Sequence, residues 1–319
     1  MLRAAILAAG GLWFNAYGDT GPYPNKLIRL AVPFAAGTGD ALARFIAERL
    51  GSRLKQSVIV ENKPGAGTVI GTDYVAKSAG DGYTLLYMTG SLTIVPSLMK
   101  LPFNLKTDFT PITTLGFGSN FVVVRADSPY RTLSQLVAAG KANPGKLNFG
   151  SAGNGTFAHL CAELLNSSAK IESVHVPYKG TSAALTGMLD GSIDYLLGDG
   201  LPVLPLVKGG KVRVLAVTSK ERWDVMPEVP TVAEAANLPG FEAVGFYGIM
   251  APAGLPPAIL EKLSTELKAI IQEPEVKRMM ESSALIPTYM ASMDFRAYLD
   301  VETEKWAKVI KEKNIKIVY

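Results

Sequence analysis

LIRLAVPFAAGTGD, residues 27–40, decides the architecture. Leu27 to Phe34 is apolar except for Arg29 and reads as a buried strand. The small residues Ala35-Ala36-Gly37-Thr38-Gly39 then break the strand, and Asp40 stands where a helix N-cap belongs. Leu42, Phe45, Ile46 and Leu50 follow at i, i+3, i+4 and i+8, the spacing of one helix face. A strand, a glycine turn and a capped helix open a β-α-β unit.

The same grammar repeats downstream. Val58-Ile59-Val60 reads as a strand, Gly65-Ala66-Gly67 as a turn, Val69 to Ala76 as a helix and Leu85-Leu86-Tyr87 as a strand. Leu98 to Pro111 reads as loop. A second unit starts with the β-rich run Asn120 to Val124 and continues with a helix over Leu133–Ala142, a strand at Leu147-Asn148-Phe149 and the polar turn Gly150 to Gly155. Phe157, Leu160, Cys161, Leu164 and Leu165 mark the next helix, followed by a strand at Val174-His175-Val176 and the turn Tyr178 to Thr181. A helix through Leu185–Leu189 and strands at Ile193–Leu197 and Val212–Val217 complete the unit near Pro239. The strand Glu242 to Met250 and the amphipathic helices after it need a sheet to cover, so the C-terminal segment is expected to return to the first lobe. The expected fold is α/β with a largely parallel sheet, in two lobes: residues 19–118 with 244–319, and residues 119–243. Hinge crossings are expected near residues 116–122 and 240–246.

A chain of 319 residues supports two separate cores. Its hydrophobic content of 48% and charged content of 19% exclude disorder. The net charge of +4, from 32 basic and 28 acidic residues spread along the chain, offers no basic stripe for nucleic acid. Cys161 is the single cysteine and His159 and His175 the two histidines, so neither a disulfide within the chain nor a metal cluster is expected. Met1-Leu2-Arg3, the apolar run Ala4 to Phe14 and the small residues Ala16-Tyr17-Gly18 read as an export signal over residues 1–18, which implies a soluble periplasmic product. Gly-x-Ser-x-Gly, His-Glu-x-x-His and phosphate-loop motifs are absent from the sequence. Gly37 to Gly39 and Gly65 to Gly67 lack the third glycine of a dinucleotide fingerprint. Binding without chemistry, and without a cofactor, is therefore the expectation.

Two strand-turn-helix junctions carry that expectation, Phe34 to Asp40 and Gly150 to Thr156. Each presents backbone N–H groups at a helix N-terminus, where the helix dipole favours an anion. Facing each other, they grip a dicarboxylate. The expected ligand-binding residues are Phe34, Ala35, Ala36, Gly37, Thr38, Gly39 and Asp40 from the first turn, and Ser151, Ala152, Asn154, Gly155 and Thr156 from the second. Thr89, Ser91, His159, Tyr178, Lys179, Gly180, Asp199 and Phe246 complete the set. Asp40 reads first as a helix cap and second as a partner for a ligand ammonium. His159 either reaches the cleft or packs beside it. Asp194 and Asp199 lack a partner base or metal and read as capping or solvated carboxylates.

The ordered set of local motifs resembles the Bug-type extracytoplasmic solute receptors of tripartite tricarboxylate transport systems. It includes Val32-Pro33-Phe34 with Asp40-Ala41-Leu42-Ala43-Arg44, Val60 to Gly67 (VENKPGAG), Asp81-Gly82-Tyr83-Thr84-Leu85, and Leu101-Pro102-Phe103 with Asp108-Phe109-Thr110-Pro111. Gly150 to Thr156 (GSAGNGT), Val176 to Gly180 (VPYKG), Gly245 to Gly248 (GFYG) and Ala251 to Gly254 (APAG) continue it. The resemblance implies a Venus-flytrap fold whose closure buries a carboxylated ligand, one carboxylate held near the Phe34 to Asp40 turn, in part through ordered waters. The Ser151 to Thr156 turn then holds the other end. It further implies permease subunits of a tripartite transporter as partners of a monomeric receptor, with a periplasmic sensing subunit for a signalling system as the alternative. The first turn is one residue shorter here than the family pattern, and the aromatic residue near the second crossing is Phe246.

Overall fold

Alternating small and branched apolar residues make Ile28–Val32 a strand (β1) buried everywhere except at Arg29. The computed structural model describes residues 21–36, 40–312 and 314–315. The export signal expected over residues 1–18, and Gly37, Thr38 and Gly39 of the first turn, lie outside the described residues. Helix α1 (Ala41–Leu54) lays Leu42, Ile46 and Leu50 against the sheet. β2 (Val58–Asn62), α2 (Val69–Ala76), β3 (Thr84–Thr89), the short α3 (Ser91–Ile94) and β4 (Phe109–Ser119) follow.

The chain then crosses to a second sheet. It is built from β5 (Phe121–Arg125), α4 (Leu133–Ala142), β6 (Leu147–Ser151), α5 (Phe157–Ala169), β7 (Ser173–Pro177), α6 (Thr181–Leu189), β8 (Tyr195–Gly198), α7 (Gly200–Lys208), β9 (Val212–Val217) and α8 (Val232–Ala235). β10 (Val244–Pro252) returns to the first sheet, followed by α9 (Pro257–Gln272), α10 (Pro274–Ser282), β11 (Leu285–Pro287) and α11 (Ser292–Glu312). The strand orders are β11-β4-β10-β3-β1-β2 and β7-β6-β8-β5-β9. Both sheets carry helices on two faces, which makes two lobes with separate cores.

The sheets are mixed, which corrects the largely parallel expectation. β1 pairs with β2 and β3 in parallel, but β10 pairs antiparallel with both β3 and β4, and β11 antiparallel with β4. In the second sheet β6 pairs in parallel with β7 and β8, while β5 runs antiparallel to β8 and β9. The antiparallel strands are those next to the crossings, where the chain enters a sheet from the other lobe instead of from a covering helix.

The loop expected over Leu98 to Pro111 gives way at Phe109 to β4, the longest strand of the first sheet. Its threonines disguise it. Thr113 and Thr114 are buried, their hydroxyls bonding the Thr114 carbonyl at 2.9 Å and the Thr288 carbonyl at 2.7 Å. Gly116 and Gly118 leave room for β11 to cross, since a Cβ on Gly116 would meet the Ile286 carbonyl oxygen at 2.6 Å.

The crossings are tied together. Thr218, just past β9, accepts from the Asn120 N–H at 2.9 Å and donates to the Ala243 carbonyl at 2.7 Å. Its own N–H donates to Ser119 Oγ at 2.9 Å. One buried hydroxyl thus joins both crossing strands. A third link is α11: Phe295 and Leu299 pack in the core of the first sheet, whereas Trp306 and Ile310 pack in that of the second.

Candidate functional site

Four strands end at the junction of the lobes. β1 and β3 in the first lobe and β6 and β8 in the second all point their carboxyl ends there, the side on which open α/β sheets bind ligands. A cavity of about 40 Å³ lies between them, lined from the first lobe by Thr89, Gly90, Phe246, Tyr247 and Leu285 and from the second by Phe157, Asp199 and Gly200. Ser119 and Asn120 at the first crossing also line it. A larger hollow of about 330 Å³ lies at the opposite strand ends, where Lys26 pairs with Asp81 at 3.6 Å beside Tyr83. It is open to solvent and belongs to one lobe only, so its size does not make it the functional cleft.

The second-lobe turn is built from its own hydrogen bonds. Thr156 caps α5 by accepting from the His159 N–H and donates its hydroxyl to the Gly153 carbonyl at 2.7 Å. Ser151, fully buried, accepts from the Gly153 N–H at 3.1 Å and meets His175 Nε2 at 2.7 Å. The Gly155 N–H donates to His159 Nδ1 at 3.2 Å, which requires an unprotonated Nδ1. His159 is only 2% exposed and stacks on His175 with ring centroids 3.7 Å apart, both rings lying beside Phe149. Burial, reinforced by the neighbouring His159, pushes the His175 pKa down to about 3. His159 therefore packs beneath the turn and shapes it instead of lining the cavity.

The lobes touch at this turn. The Phe157 N–H donates to Ser91 Oγ of the first lobe at 3.0 Å. Gly67, at φ +60°, approaches so closely that a Cβ there would lie 3.1 Å from the Asn154 carbonyl oxygen. Ser91 is buried and Thr89 half-buried, Asn154 and Ala152 line the turn, and the Ala152 carbonyl accepts the Gly180 N–H at 3.1 Å.

The first-lobe turn starts at Phe34, whose carbonyl accepts from Asn62 Nδ2 at 3.0 Å, while Ala35 and Ala36 are exposed. Asp40 occupies the N-cap position of α1 but makes no side-chain cap bond, which corrects the capping expectation. Its carboxylate, 1% exposed, instead accepts from Arg44 at 2.7 Å and from Asn62 at 3.0 Å. The Arg44 guanidinium, one turn along the helix, outcompetes the backbone amides because a charged donor forms the stronger bond. Asp199 likewise heads α7 without capping it and accepts the Thr181 hydroxyl at 2.5 Å. Asp194 is neither cap nor solvated: it accepts from the Asn148 N–H at 2.8 Å and so ties β6 to the start of β8.

Of the expected residues, Thr89, Asp199 and Phe246 line the cavity itself, and those of the VPYKG turn lie away from it. Tyr178 packs into the second-lobe core against α6, where a Cβ on Gly187 would overlap its hydroxyl, and Lys179 is exposed. Gly180 heads α6. Phe246 forms the expected apolar wall, edge-on to Tyr298 at 5.0 Å and to Phe295 at 6.1 Å.

Sequence reasoning missed Tyr87 and Tyr247. Tyr87 stands between Phe34 and Tyr247, with ring centroids at 6.0 and 5.7 Å, and its buried hydroxyl has no hydrogen-bond partner among the described residues. Burial first, then Tyr247, Asp199 and Asp40, raise its pKa well above the ordinary phenol value. Tyr247 is raised for the same reasons, burial and then Asp199. The signal available was position, since both tyrosines stand beside the carboxyl end of β3.

Among the described residues, no group of three or more His, Cys, Asp or Glu could hold a metal ion, and no helix is long and apolar enough to cross a membrane. Protein BugT of Bordetella pertussis is 33% identical over 326 residues, spanning 99% of this chain and all of that protein. The structure of R. palustris Rpa4515 with adipate superposes with a TM-score of 0.88 at 30% identity, covering 92% of this chain and 99% of that one. MatC (Rpa3494) from Rhodopseudomonas palustris with bound malate gives a TM-score of 0.84 at 28% identity, covering 90% of this chain and all of the other. Residues 42–315 match the family described as tripartite tricarboxylate transporter family receptor. With the two-lobed fold, the cleft at the strand ends and these likenesses in place, the chain belongs to the tripartite tricarboxylate transporter receptor family of solute-binding proteins.

Proposed function

We propose that this protein is an exported, monomeric receptor that captures a small carboxylate between its lobes, leaves it chemically unchanged and delivers it to the permease subunits of a tripartite transporter. The lobes are residues 19–118 with 244–319, and residues 119–243, the end of α11 reaching across to the second. The observation that carries the reading is the position of the Thr156-capped N-terminus of α5, held at the lobe junction by Ser91 and Gly67. A helix N-terminus pointing into a cleft between lobes favours an anion without a cationic side chain. The adipate and malate carried by the two similar structures support a carboxylate as that anion.

The test is a thermal-shift series on the mature protein with mono-, di- and tricarboxylates, preceded by native mass spectrometry of the protein as purified. A carboxylate at 100 times its dissociation constant adds about 2.7 kcal/mol of stability. A retained or stabilising carboxylate, recovered unchanged by NMR after incubation, is expected. A panel in which none is retained and none shifts the melting temperature would sink the reading, and turnover of a bound acid would replace it with an enzyme.

A further inference from the structure

We infer that the cleft reads a second group on its ligand, a hydrogen-bond donor in the form of a hydroxyl or ammonium, through Asp199 and Thr181 of the second lobe and Tyr87 and Tyr247 of the first. The inference rests on the carboxylate-receptor reading and extends it from an acid to a hydroxy or amino acid.

Asp199 is the one charged residue lining the cavity among the described residues, and no lysine, arginine or histidine lines it. Of the basic residues in the two binding turns, Arg44 holds Asp40 and Asn62, and Lys179 is exposed to solvent. Among the described residues Asp199 forms no salt bridge, and Thr181 supplies one hydrogen bond, to Oδ1. An ionised carboxylate has about four lone-pair sites, and enclosing it when the lobes meet is costly unless a donor arrives with the ligand. A plain dicarboxylate brings only like charge to this corner.

Tyr87 supplies the independent observation. Its residue exposure is 0% and its hydroxyl has no partner among the described residues, a rare condition for a buried polar atom. The ring belongs to β3 of the first lobe and lies 5.7 Å from the ring of Tyr247, directly behind the cavity wall. Tyr247 stands beside it and lines the same cavity. The two sides are complementary. A ligand hydroxyl donates to Asp199 and accepts from Tyr87. A ligand ammonium donates to Asp199 and to the Tyr87 oxygen.

The experiment is isothermal titration of the full mature protein with matched acids: succinate, malate and aspartate, then glutarate, 2-hydroxyglutarate and glutamate. At the better-fitting chain length the hydroxylated or aminated acid is expected to bind on the order of 100-fold tighter than the plain one, because a buried site left without its donor strongly rejects the analogue. Asp199→Asn keeps an acceptor for Thr181 and is expected to abolish a preference for the amino acid while only weakening one for the hydroxy acid. Tyr87→Phe, which removes a single oxygen, is expected to cut the hydroxy-acid preference about ten-fold. Circular dichroism of both variants verifies folding. If plain diacids bind as tightly as their substituted partners, or if Asp199→Asn leaves the ratios unchanged, the donor subsite is rejected while the carboxylate receptor stands. If the wild-type protein binds none of these acids and none from the thermal-shift panel, the receptor reading falls and the subsite with it.

Discussion

Trp306→Ala should detach the end of the last helix from the second lobe. The indole is 1% exposed and stands edge-on to Phe157 at 5.8 Å, within the second-lobe cluster that also holds Leu160, Phe241 and Ala243. Truncating a fully buried tryptophan removes its transfer free energy and leaves a cavity, together about 3–5 kcal/mol. Phe295→Ala, on the same helix but in the first-lobe core, falls in the same range and serves as the matched control. Urea unfolding followed by far-ultraviolet circular dichroism measures the two losses. Hydrogen exchange locates them. In Trp306→Ala, amide exchange should accelerate in α5 and β8 and stay unchanged in β1 and β2, whereas Phe295→Ala should do the reverse. A loss below about 1 kcal/mol for Trp306→Ala, or faster exchange confined to the first lobe, would refute the view that α11 belongs to both cores.

Thr218→Val removes the hydroxyl that serves the Asn120 N–H and the Ala243 carbonyl, leaving two buried backbone groups unpaired, and should cost about 2–4 kcal/mol in urea unfolding; an unchanged midpoint would mean the crossings do not depend on it. Unfolded His175 titrates near 6.5 and the folded residue near 3, so between these values the unfolded chain binds the extra proton and stability rises with pH. The melting temperature should accordingly fall from pH 7 toward pH 4, and less steeply in His175→Gln; equal slopes in the two proteins would remove His175 as the cause. Gly67→Ala places a methyl group 3.1 Å from the Asn154 carbonyl oxygen at a φ of +60°. Carboxylate affinity by isothermal titration should drop several-fold, and wild-type affinity would show that this approach of the lobes is not needed for capture.

Much of the fold was legible because its helices obey a single period. α4 and α2 run over the residues that spacing predicts, Leu133–Ala142 and Val69–Ala76. β9 likewise matches its apolar run, Val212–Val217. β4 was illegible for a physical reason: a strand buried on both faces normally reads as aliphatic, and this one satisfies buried threonines internally and uses glycine where β11 crosses. A proline is unusual inside a central strand, but β11 pairs only with Gly116 to Gly118, so Pro111 sits where β4 has an open edge. α7 hid behind Pro202 and Pro205 inside its nine residues.

The site divides in the same way. Ser151 to Thr156 announced itself through a helix cap and glycines, features that are local in sequence. Tyr87 did not, because in Leu85-Leu86-Tyr87 it looks like one more core residue, and its isolated hydroxyl emerges only when Tyr247 and Asp199 arrive from distant parts of the chain. Asp40 misled for the opposite reason: its position is that of a cap, but its carboxylate is claimed by Arg44 one turn on and by Asn62, which reaches it from β2.

α11 carries neither proline nor glycine between Ser292 and Glu312, the residues at which sharp kinks form. Two crossing strands alone would leave the lobes free both to swing and to shear past each other. A stiff rod anchored at Leu299 on one side and Trp306 on the other removes the shear and resists the swing in proportion to how far the cleft gapes. Opening must then bend a continuous helix by a small amount over several turns, so the resting aperture is set by elasticity as much as by hinge chemistry. A glycine introduced at Val301, an exposed position between the two anchors, changes that stiffness without touching the cleft.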